Sequence, residues 1–235
     1  MMKKLAILMT ALFTLSAHAA PVFNIFELGI AHGKTARYDA VGKHNIRTSI
    51  ATEQGTLAMY SVKQKANPNM VYMVELYADD AAYQVHRKSP QYAEFVKQSP
   101  QILTEHKVKF DTVLQFAGDK KITQTADTKT NFVSVSVKPE HAAAFKAIVL
   151  DEMAQSLQKE NGVLAMYAAT DAKQPEKWYF FEIYASEAAY QSRRATPHFQ
   201  KYLNETQNMI ADTKVYVISP SELGNQGGQL WTAER

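Results

Sequence analysis

The sequence predicts an α+β protein built from two ferredoxin-like βαββαβ repeats whose sheets pack against each other. The first observation is an internal duplication, in which Glu53-Gln-Gly-Thr-Leu-Ala-Met-Tyr60 returns as Glu160-Asn-Gly-Val-Leu-Ala-Met-Tyr167. The second is a constant offset of 107 residues (160 − 53 = 107), which a longer motif further along the chain keeps without a gap. This period exceeds the roughly 20–50 residues of a solenoid repeat and suits a domain of about 100 residues.

Each element of the first copy has a local sequence signal. The predicted order is strand, helix, strand, strand, helix, strand, over residues 22–31, 34–53, 55–60, 71–77, the segment after residue 79, and 107–116. Gly33 and Gly55 bound the first helix, and residues 67–69 (Asn-Pro-Asn) predict a turn. Asp79 is a natural N-cap for the second helix. Pro90 either interrupts that helix or begins another helical segment.

The second copy repeats this order over residues 131–219. Its first helix places four apolar residues at helical spacing, namely Phe145, Val149, Met153 and Leu157. The predicted domains are therefore residues 20–117 and 131–219, joined by a linker at 118–130 that is rich in Lys, Thr and Asp. Residues 220–235 are polar and Gly-rich, and we expect them to form a tail on the surface or without order.

The first 19 residues have the pattern of a cleaved secretory signal. Lys3 and Lys4 precede an uncharged apolar run at 5–15, and Ala17-His18-Ala19 is a small-x-small cleavage site. The run is shorter than the about 20 residues that span a bilayer. We therefore predict a periplasmic or secreted protein with no membrane attachment after cleavage.

Charge and composition exclude several classes of function. Removing Lys3 and Lys4 lowers the formal net charge from +3 to +1, with 24 basic against 23 acidic residues. A nearly neutral chain lacks the basic footprint of a nucleic-acid-binding protein. The absence of cysteine excludes disulfides and thiolate metal sites. No Gly-rich phosphate loop or metal-ligand spacing is present either, so we expect no cofactor and no metal.

The strand at 71–77 presents two different faces. Tyr72, Val74 and Leu76 point one way, whereas Glu75 and Tyr77 point the other. We expect the first, apolar set to meet the helices and the second, mixed set to meet the other sheet. Because both sets are apolar enough to be buried, the two sheets should pack face to face within one chain. The predicted protein is therefore a monomer.

A conserved spacing of polar and aromatic residues occurs in both copies. Residues 75–90 and 182–197 share the motif Glu-x-Tyr-Ala-[Asp/Ser]-x-Ala-Ala-Tyr-Gln-x-[His/Arg]-Arg-x-[Ser/Thr]-Pro. Together with the upstream Glu-x-Gly-x-Leu-Ala-Met-Tyr, it resembles the antibiotic biosynthesis monooxygenase domain. The resemblance covers nearly all of the chain after the signal. It implies a dimeric α+β barrel, which two copies in one chain would form as a pseudo-dimeric α+β barrel.

The resemblance also implies a function. Relatives include cofactor-free oxygenases, so the expected partners are a small aromatic or quinol-type molecule and molecular oxygen. The same fold also hosts isomerases and members without known activity, and fold alone does not decide function. The alternative is a non-catalytic periplasmic module that binds a small molecule or has a structural role.

Members of this family often have two histidines in the motif, one before the Arg and one after the Pro. The first copy has His86 but Gln91, and the second has Arg193 but His198. Either the two sites have diverged, or one is active and the other is structural.

The candidate catalytic residues are two histidines and two strand carboxylates. Imidazole exchanges protons readily near neutral pH and is the usual general base. A buried carboxylate needs a partner, which could be a nearby Arg or a Tyr hydroxyl. The candidates are His86, His198, Glu75 and Glu182 for catalysis, and Tyr60, Tyr77, Arg87, Tyr167, Trp178, Tyr184 and Arg194 for substrate binding. Each aromatic residue has a simpler interpretation as part of the core.

Overall fold

The computed structural model describes residues 20–233, in which the chain forms eleven strands and six α-helices. The predicted signal at 1–19 lies outside the described residues. In chain order the elements are β1 (Val22–Ile30), α1 (Thr35–Thr52), β2 (Thr56–Gln64), β3 (Met70–Tyr77), α2 (Asp80–Arg87), α3 (Pro90–Ile102), β4 (Leu103–Phe110), β5 (Thr112–Asp119), β6 (Lys129–Val137), α4 (Ala142–Lys159), β7 (Val163–Asp171), β8 (Lys177–Tyr184), α5 (Glu187–Arg194), α6 (Pro197–Thr206), β9 (Ile210–Tyr216), β10 (Ile218–Asn225) and β11 (Leu230–Thr232).

The duplication is confirmed element by element. We call β1–β4 with α1–α3 half one, and β6–β9 with α4–α6 half two. Each element of half one begins 107 residues before its counterpart in half two. The second predicted helix is two helices, since Pro90 begins α3 at its first turn with Ser89 as the N-cap. Asp79 caps α2, accepting a hydrogen bond from the backbone N–H of Ala82 at 2.8 Å.

The two halves exchange strands. One sheet has the order β10-β2-β3-β1-β4 and the other β11-β5-β7-β8-β6-β9. β5 follows half one but pairs with β7 of half two, and β10 follows half two but pairs with β2 of half one. Each four-stranded ferredoxin-like sheet is thus extended by a strand from the other half. This exchange holds the two halves together as one barrel.

Three boundary predictions are corrected by this exchange. The single strand predicted at 107–116 is wrong, because the strand breaks at Asp111 and its second part crosses to the other sheet. The predicted linker at 118–130 is shorter, since its ends belong to β5 and β6. The predicted tail at 220–235 contributes to both sheets through β10 and β11. Polar, Gly-rich residues can still form these strands because the pairing uses backbone N–H and C=O groups.

The two sheets pack face to face, as predicted, around a largely aromatic core. The hydroxyl groups of Tyr60 and Tyr167 lie 2.8 Å apart at its centre. These residues are counterparts, so their contact places them on the pseudo-twofold axis of the molecule. Tyr179, Phe181 and Ile183 of β8 also belong to this core.

The predicted assignment of strand faces is inverted. Tyr72, Val74 and Leu76 point into the core between the sheets. Glu75 and Tyr77 point toward the helices, where Tyr77 packs against His86 of α2 with ring centroids 5.5 Å apart. The reason is chemical, since the core between the sheets is lined with apolar and aromatic groups, whereas the helices offer polar partners for a carboxylate.

Candidate active site in the first half

A cavity of about 340 Å³ lies between the sheet and the helices of half one. This is near the lower end of the roughly 300–1,000 Å³ typical of small-molecule sites. Most of its wall is apolar or aromatic and includes Phe26, Tyr38, Met73, Tyr83, Tyr92 and Phe95. Its polar wall is formed by Asn45, Glu75 and His86. Two of the predicted catalytic residues, Glu75 and His86, therefore line one cavity.

His86 is held in one orientation by a buried carboxylate. Its ring is 1% exposed, and its Nδ1 lies 3.0 Å from Oε2 of Glu53. Glu53 also accepts hydrogen bonds from Nε2 of Gln91 and Oγ1 of Thr56, both at 2.5 Å. Because a carboxylate only accepts, Nδ1 donates, and the neutral ring keeps its lone pair on Nε2.

The free nitrogen of His86 is the distinctive feature of the cavity. Nε2 is buried and has no hydrogen-bond partner among the described residues. Buried polar atoms are normally paired, and a catalytic role is one explanation of an exception. The Glu53–His86 pair is therefore a positioned base on the wall of an apolar cavity.

Glu75 lies on β3 and accepts a hydrogen bond from the hydroxyl of Tyr77 at 2.9 Å. Burial raises the pKa of its carboxyl, and nearby His86 and the Tyr77 hydrogen bond offset only part of that increase. Burial and the neighbouring Glu75 also raise the pKa of Tyr77. Burial therefore makes this carboxyl harder to ionise than an exposed one.

Two exposed lysines of β4 also line the cavity. They are Lys107 and Lys109, and neither forms an ion pair within residues 20–233. The Nζ of Lys109 lies 5.7 Å from the ring centre of Phe26 and 5.8 Å from that of Tyr83. They bring positive charge to a site whose polar atoms would otherwise favour neutral ligands.

The corresponding cavity of half two is smaller, about 250 Å³, and has different polar chemistry. Arg193 occupies the position of His86, with Nη2 at 2.9 Å from Glu152 and 3.5 Å from Glu182. Burial opposes the charge of Arg193, but these two carboxylates more than compensate and raise the pKa of the guanidinium. On the helix that lines each cavity, Val149 in half two replaces Gly42. Side chains of the protein therefore fill space that is open in half one.

His198 occupies the position of Gln91 and not that of His86. Its Nε2 lies 2.8 Å from Oε1 of Glu160 and 3.2 Å from Oγ of Ser156. It lines a separate depression between α4 and α6. The two histidines of the motif thus have different positions, and only His86 lies on a cavity with Glu75.

The remaining predicted residues fall into three groups. Tyr60 and Tyr167 lie between the sheets, away from both cavities, and Tyr167 donates to Oδ2 of Asp119 at 2.8 Å. Tyr184 donates to Glu182 at 2.8 Å, as Tyr77 does to Glu75. Trp178 packs against Phe180 in the core of half two, with nearly parallel rings.

The predicted arginines are exposed. Arg87 stacks over Tyr83 at 5.8 Å and does not line the cavity, whereas Arg194 borders the cavity of half two. Of the two kinds of partner expected for the strand carboxylates, Glu182 has both, namely the hydroxyl of Tyr184 and an arginine, which is Arg193 and not Arg194. The helix turns by about 100° per residue, so the preceding side chain points inward.

Sequence reasoning missed the residues that support His86. Glu53 and Ser49 contact its Nδ1, and Gln91 donates hydrogen bonds to both of them. Asn45 lies one turn before Ser49 on α1. A signal was available for Glu53, since it begins the repeated motif, and for Ser49, since its counterpart is Ser156. Their convergence on His86 depends on how α1 packs against α2 and α3.

Residues 20–233 contain neither a metal site nor a membrane-spanning helix. No group of three or more His, Asp or Glu side chains has the geometry to hold a metal ion. None of the helices in this part of the chain has the length and apolar character needed to cross a membrane.

Comparison with known proteins identifies similar chains. The sequence profile of the antibiotic biosynthesis monooxygenase family matches residues 21–98 and 130–205. A crystal structure of a candidate monooxygenase from Fusobacterium nucleatum is 27% identical, with a TM-score of 0.86 over 92% of this chain and 100% of that chain. Another from Lactobacillus acidophilus is 28% identical, with a TM-score of 0.85 over 90% of this chain and 99% of that one. No protein of curated function is significantly similar in sequence.

Proposed function

The chain belongs to the antibiotic biosynthesis monooxygenase family, and from this premise we propose that half one is the active half of an exported, cofactor-independent monooxygenase. Its substrate is a small aromatic or quinol-type molecule. The observation that supports this most directly is the unpaired Nε2 of His86, a residue that lines an apolar cavity. The sequence pattern of residues 1–19 supports export.

The proposed reaction begins with proton transfer from a substrate hydroxyl to Nε2 of His86. Glu53, 3.0 Å from Nδ1, stabilises the resulting imidazolium. The substrate anion transfers one electron to molecular oxygen, and the two radicals combine to form a carbon–oxygen bond. The imidazolium returns its proton to the peroxide, which loses water and leaves a carbonyl on the ring. The substrate loses two hydrogens and gains one oxygen, and the other oxygen atom leaves as water.

The protein contributes position, charge and the exclusion of water. Aromatic side chains around the cavity provide flat surfaces for a ring. The positive charge of Lys109 at the cavity stabilises the substrate anion and the oxygen anion formed from it. In half two Tyr216 stands at the position of Lys109 and Arg193 at that of His86, so that half lacks both the base and this cation.

Oxygen uptake with a panel of hydroquinones tests the proposal. We expect uptake well above the free-solution rate, and a decrease of about 10²- to 10⁴-fold in His86→Ala, the usual contribution of a general base. His198→Ala is the matched control and should change the rate by less than about threefold, because His198 lies outside the cavity.

Two results would contradict the proposal. One is uptake no faster than in free solution. The other is equal activity of wild type and His86→Ala. Ligand binding without oxygen uptake would favour a non-catalytic binding module.

A further inference from the structure

Two residues that line the cavity of half one each have a buried polar atom without a partner among the described residues. These atoms are Nε2 of His86 and Oδ1 of Asn45, on residues that are 1% and 6% exposed. An unpaired buried polar group costs about 1–3 kcal/mol, so two on residues that line one cavity indicate atoms that a ligand pairs.

In half two, the residues at the same two positions bind each other. Glu152 and Arg193 are the counterparts of Asn45 and His86, 107 residues later in each case. They bind each other at 2.9 Å, and Ser156 donates a further hydrogen bond to Glu152 at 2.7 Å. The two halves share their backbone plan, so the contrast arises from the side chains. In half two the two side chains form a hydrogen bond with each other. In half one each of the two side chains keeps an unpaired polar atom.

From this contrast we propose that Asn45 is a second ligand-binding residue of half one, and that it selects aromatic molecules with two oxygen substituents. One oxygen binds His86 and the other binds Asn45. This inference rests on the proposed function, because it assigns the ligand of the same cavity. The unpaired Oδ1 of Asn45 accepts hydrogen bonds, so it pairs with a hydroxyl of the reduced ring and not with a carbonyl of the oxidised ring.

The position of Asn45 separates the two ligand contacts. Asn45 and Ser49 lie four residues apart on one face of α1, a rise of about 6 Å. Ser49 is the residue that contacts His86, with its Oγ 3.3 Å from Nδ1. The ligand oxygens therefore bind at separate points along the cavity, and a ring with a single oxygen leaves one of the two atoms unpaired.

The test compares ligands of equal shape in the absence of oxygen. Catechol, resorcinol and hydroquinone differ only in the separation of their two hydroxyls, and each has a cresol in which a methyl group replaces one hydroxyl. NMR titration of the full mature chain should show at least one dihydroxybenzene binding about 10-fold more tightly than its cresol. Asn45→Leu, which has a similar volume, should remove this preference and leave the affinity for the cresol within about threefold.

A second variant tests the proposal if Asn45→Leu does not fold. Asn45→Glu together with His86→Arg transfers the pair of half two into half one, where we expect it to fold and to abolish binding of all six ligands. The same exchange in reverse, Glu152→Asn with Arg193→His, is the control and should leave the preference of half one intact. Thermal unfolding checks that each variant is folded.

The inference is overturned if no dihydroxybenzene is preferred by the wild type, or if Asn45→Leu keeps the preference. It is also overturned if the Glu–Arg variant folds and still binds these ligands. Because binding is measured without oxygen, the result is independent of turnover. A preference that depends on Asn45 without any oxygen uptake would refute the proposed reaction and leave the binding site in place.

Discussion

At the scale of single residues, the two halves give one strand position two different environments. Glu75 and Glu182 are counterparts, and each accepts a hydrogen bond from a tyrosine hydroxyl. Glu182 also faces the guanidinium of Arg193 at 3.5 Å, whereas Glu75 has no cation as close within the described residues. Burial penalises the charge of Glu75 and raises the pKa of its carboxyl, because no such cation offsets it. Arg193 therefore changes the chemistry of a site whose strand and tyrosine are the same.

This difference predicts a pH dependence of stability. The raised pKa of Glu75 means that the folded state binds this proton more tightly than the unfolded state. Protonated Glu75 contributes fully to the free energy of unfolding below the pKa that it has in the unfolded chain, about 4.3. This contribution is lost as the pH rises through its pKa in the folded protein. Glu75→Gln removes this loss, so the variant should gain stability relative to wild type as pH rises. Urea unfolding from acid to neutral pH measures the difference.

Glu182→Gln is the matched control for this experiment. It removes an anion that faces Arg193, so it should be destabilised at neutral pH instead of stabilised. A difference between Glu75→Gln and wild type that stays constant with pH would show that Glu75 titrates alike in both states.

At the scale of elements, one helix position decides how open each cavity is. Gly42 lies on α1 beside the cavity of half one, and a Cβ there would meet only Tyr38, at 4.0 Å. Its counterpart on α4 is Val149, which is buried in the core of half two. Glycine within a helix costs about 0.5–1 kcal/mol relative to alanine. Here it leaves room for a ligand that a larger side chain would occupy.

We expect Gly42→Val to fill part of the cavity of half one. Stability should rise by about 0.5 kcal/mol, because valine has the higher helix propensity. The kcat/KM for oxygen uptake should fall by about 10-fold or more, since a cavity of this size has little room to spare. Gly42→Ala should have an intermediate effect on kcat/KM. Wild-type turnover in a well-folded Gly42→Val protein would place the reaction elsewhere.

At the scale of the whole molecule, the exchange of β5 and β10 covers surfaces that a single repeat would expose. Each sheet covers the inner face of the other. β4 is one of the two edge strands of the first sheet, and its exposed residues include Glu105, Lys107 and Lys109. Charged side chains, lysine above all, discourage edge strands from pairing with another chain. The arrangement leaves neither sheet needing a second molecule.

The protein is therefore expected to be a monomer. Light scattering at micromolar concentration should give the mass of one chain, with no change on dilution. A mass of two chains that persists on dilution would mean that an outer surface, and not the barrel interior, mediates association.

The sequence by itself determined the duplication, the βαββαβ order of each copy and two residues of the candidate site. These are local properties, since a repeated motif, a cap such as Asp79 and a helical apolar face are visible in consecutive residues. Glu75 and His86 were found because they lie in the repeated motif. Asn45 was not found because it lies outside the repeated motif. Glu53 begins that motif, but nothing local links it to a histidine more than thirty positions away.

Only the tertiary structure decided which face of each sheet meets the helices and which strands change sheets. Alternation along a strand separates two sets of side chains, but it does not say which layer each set meets when both are apolar. The exchange of β5 and β10 depends on backbone pairing between distant segments, and the pattern of side chains predicts little about such pairing. Glu152 and Arg193 bind each other, whereas Asn45 and His86 each keep an unpaired polar atom. This difference also depends on the tertiary structure, because it is a property of contacts between helices.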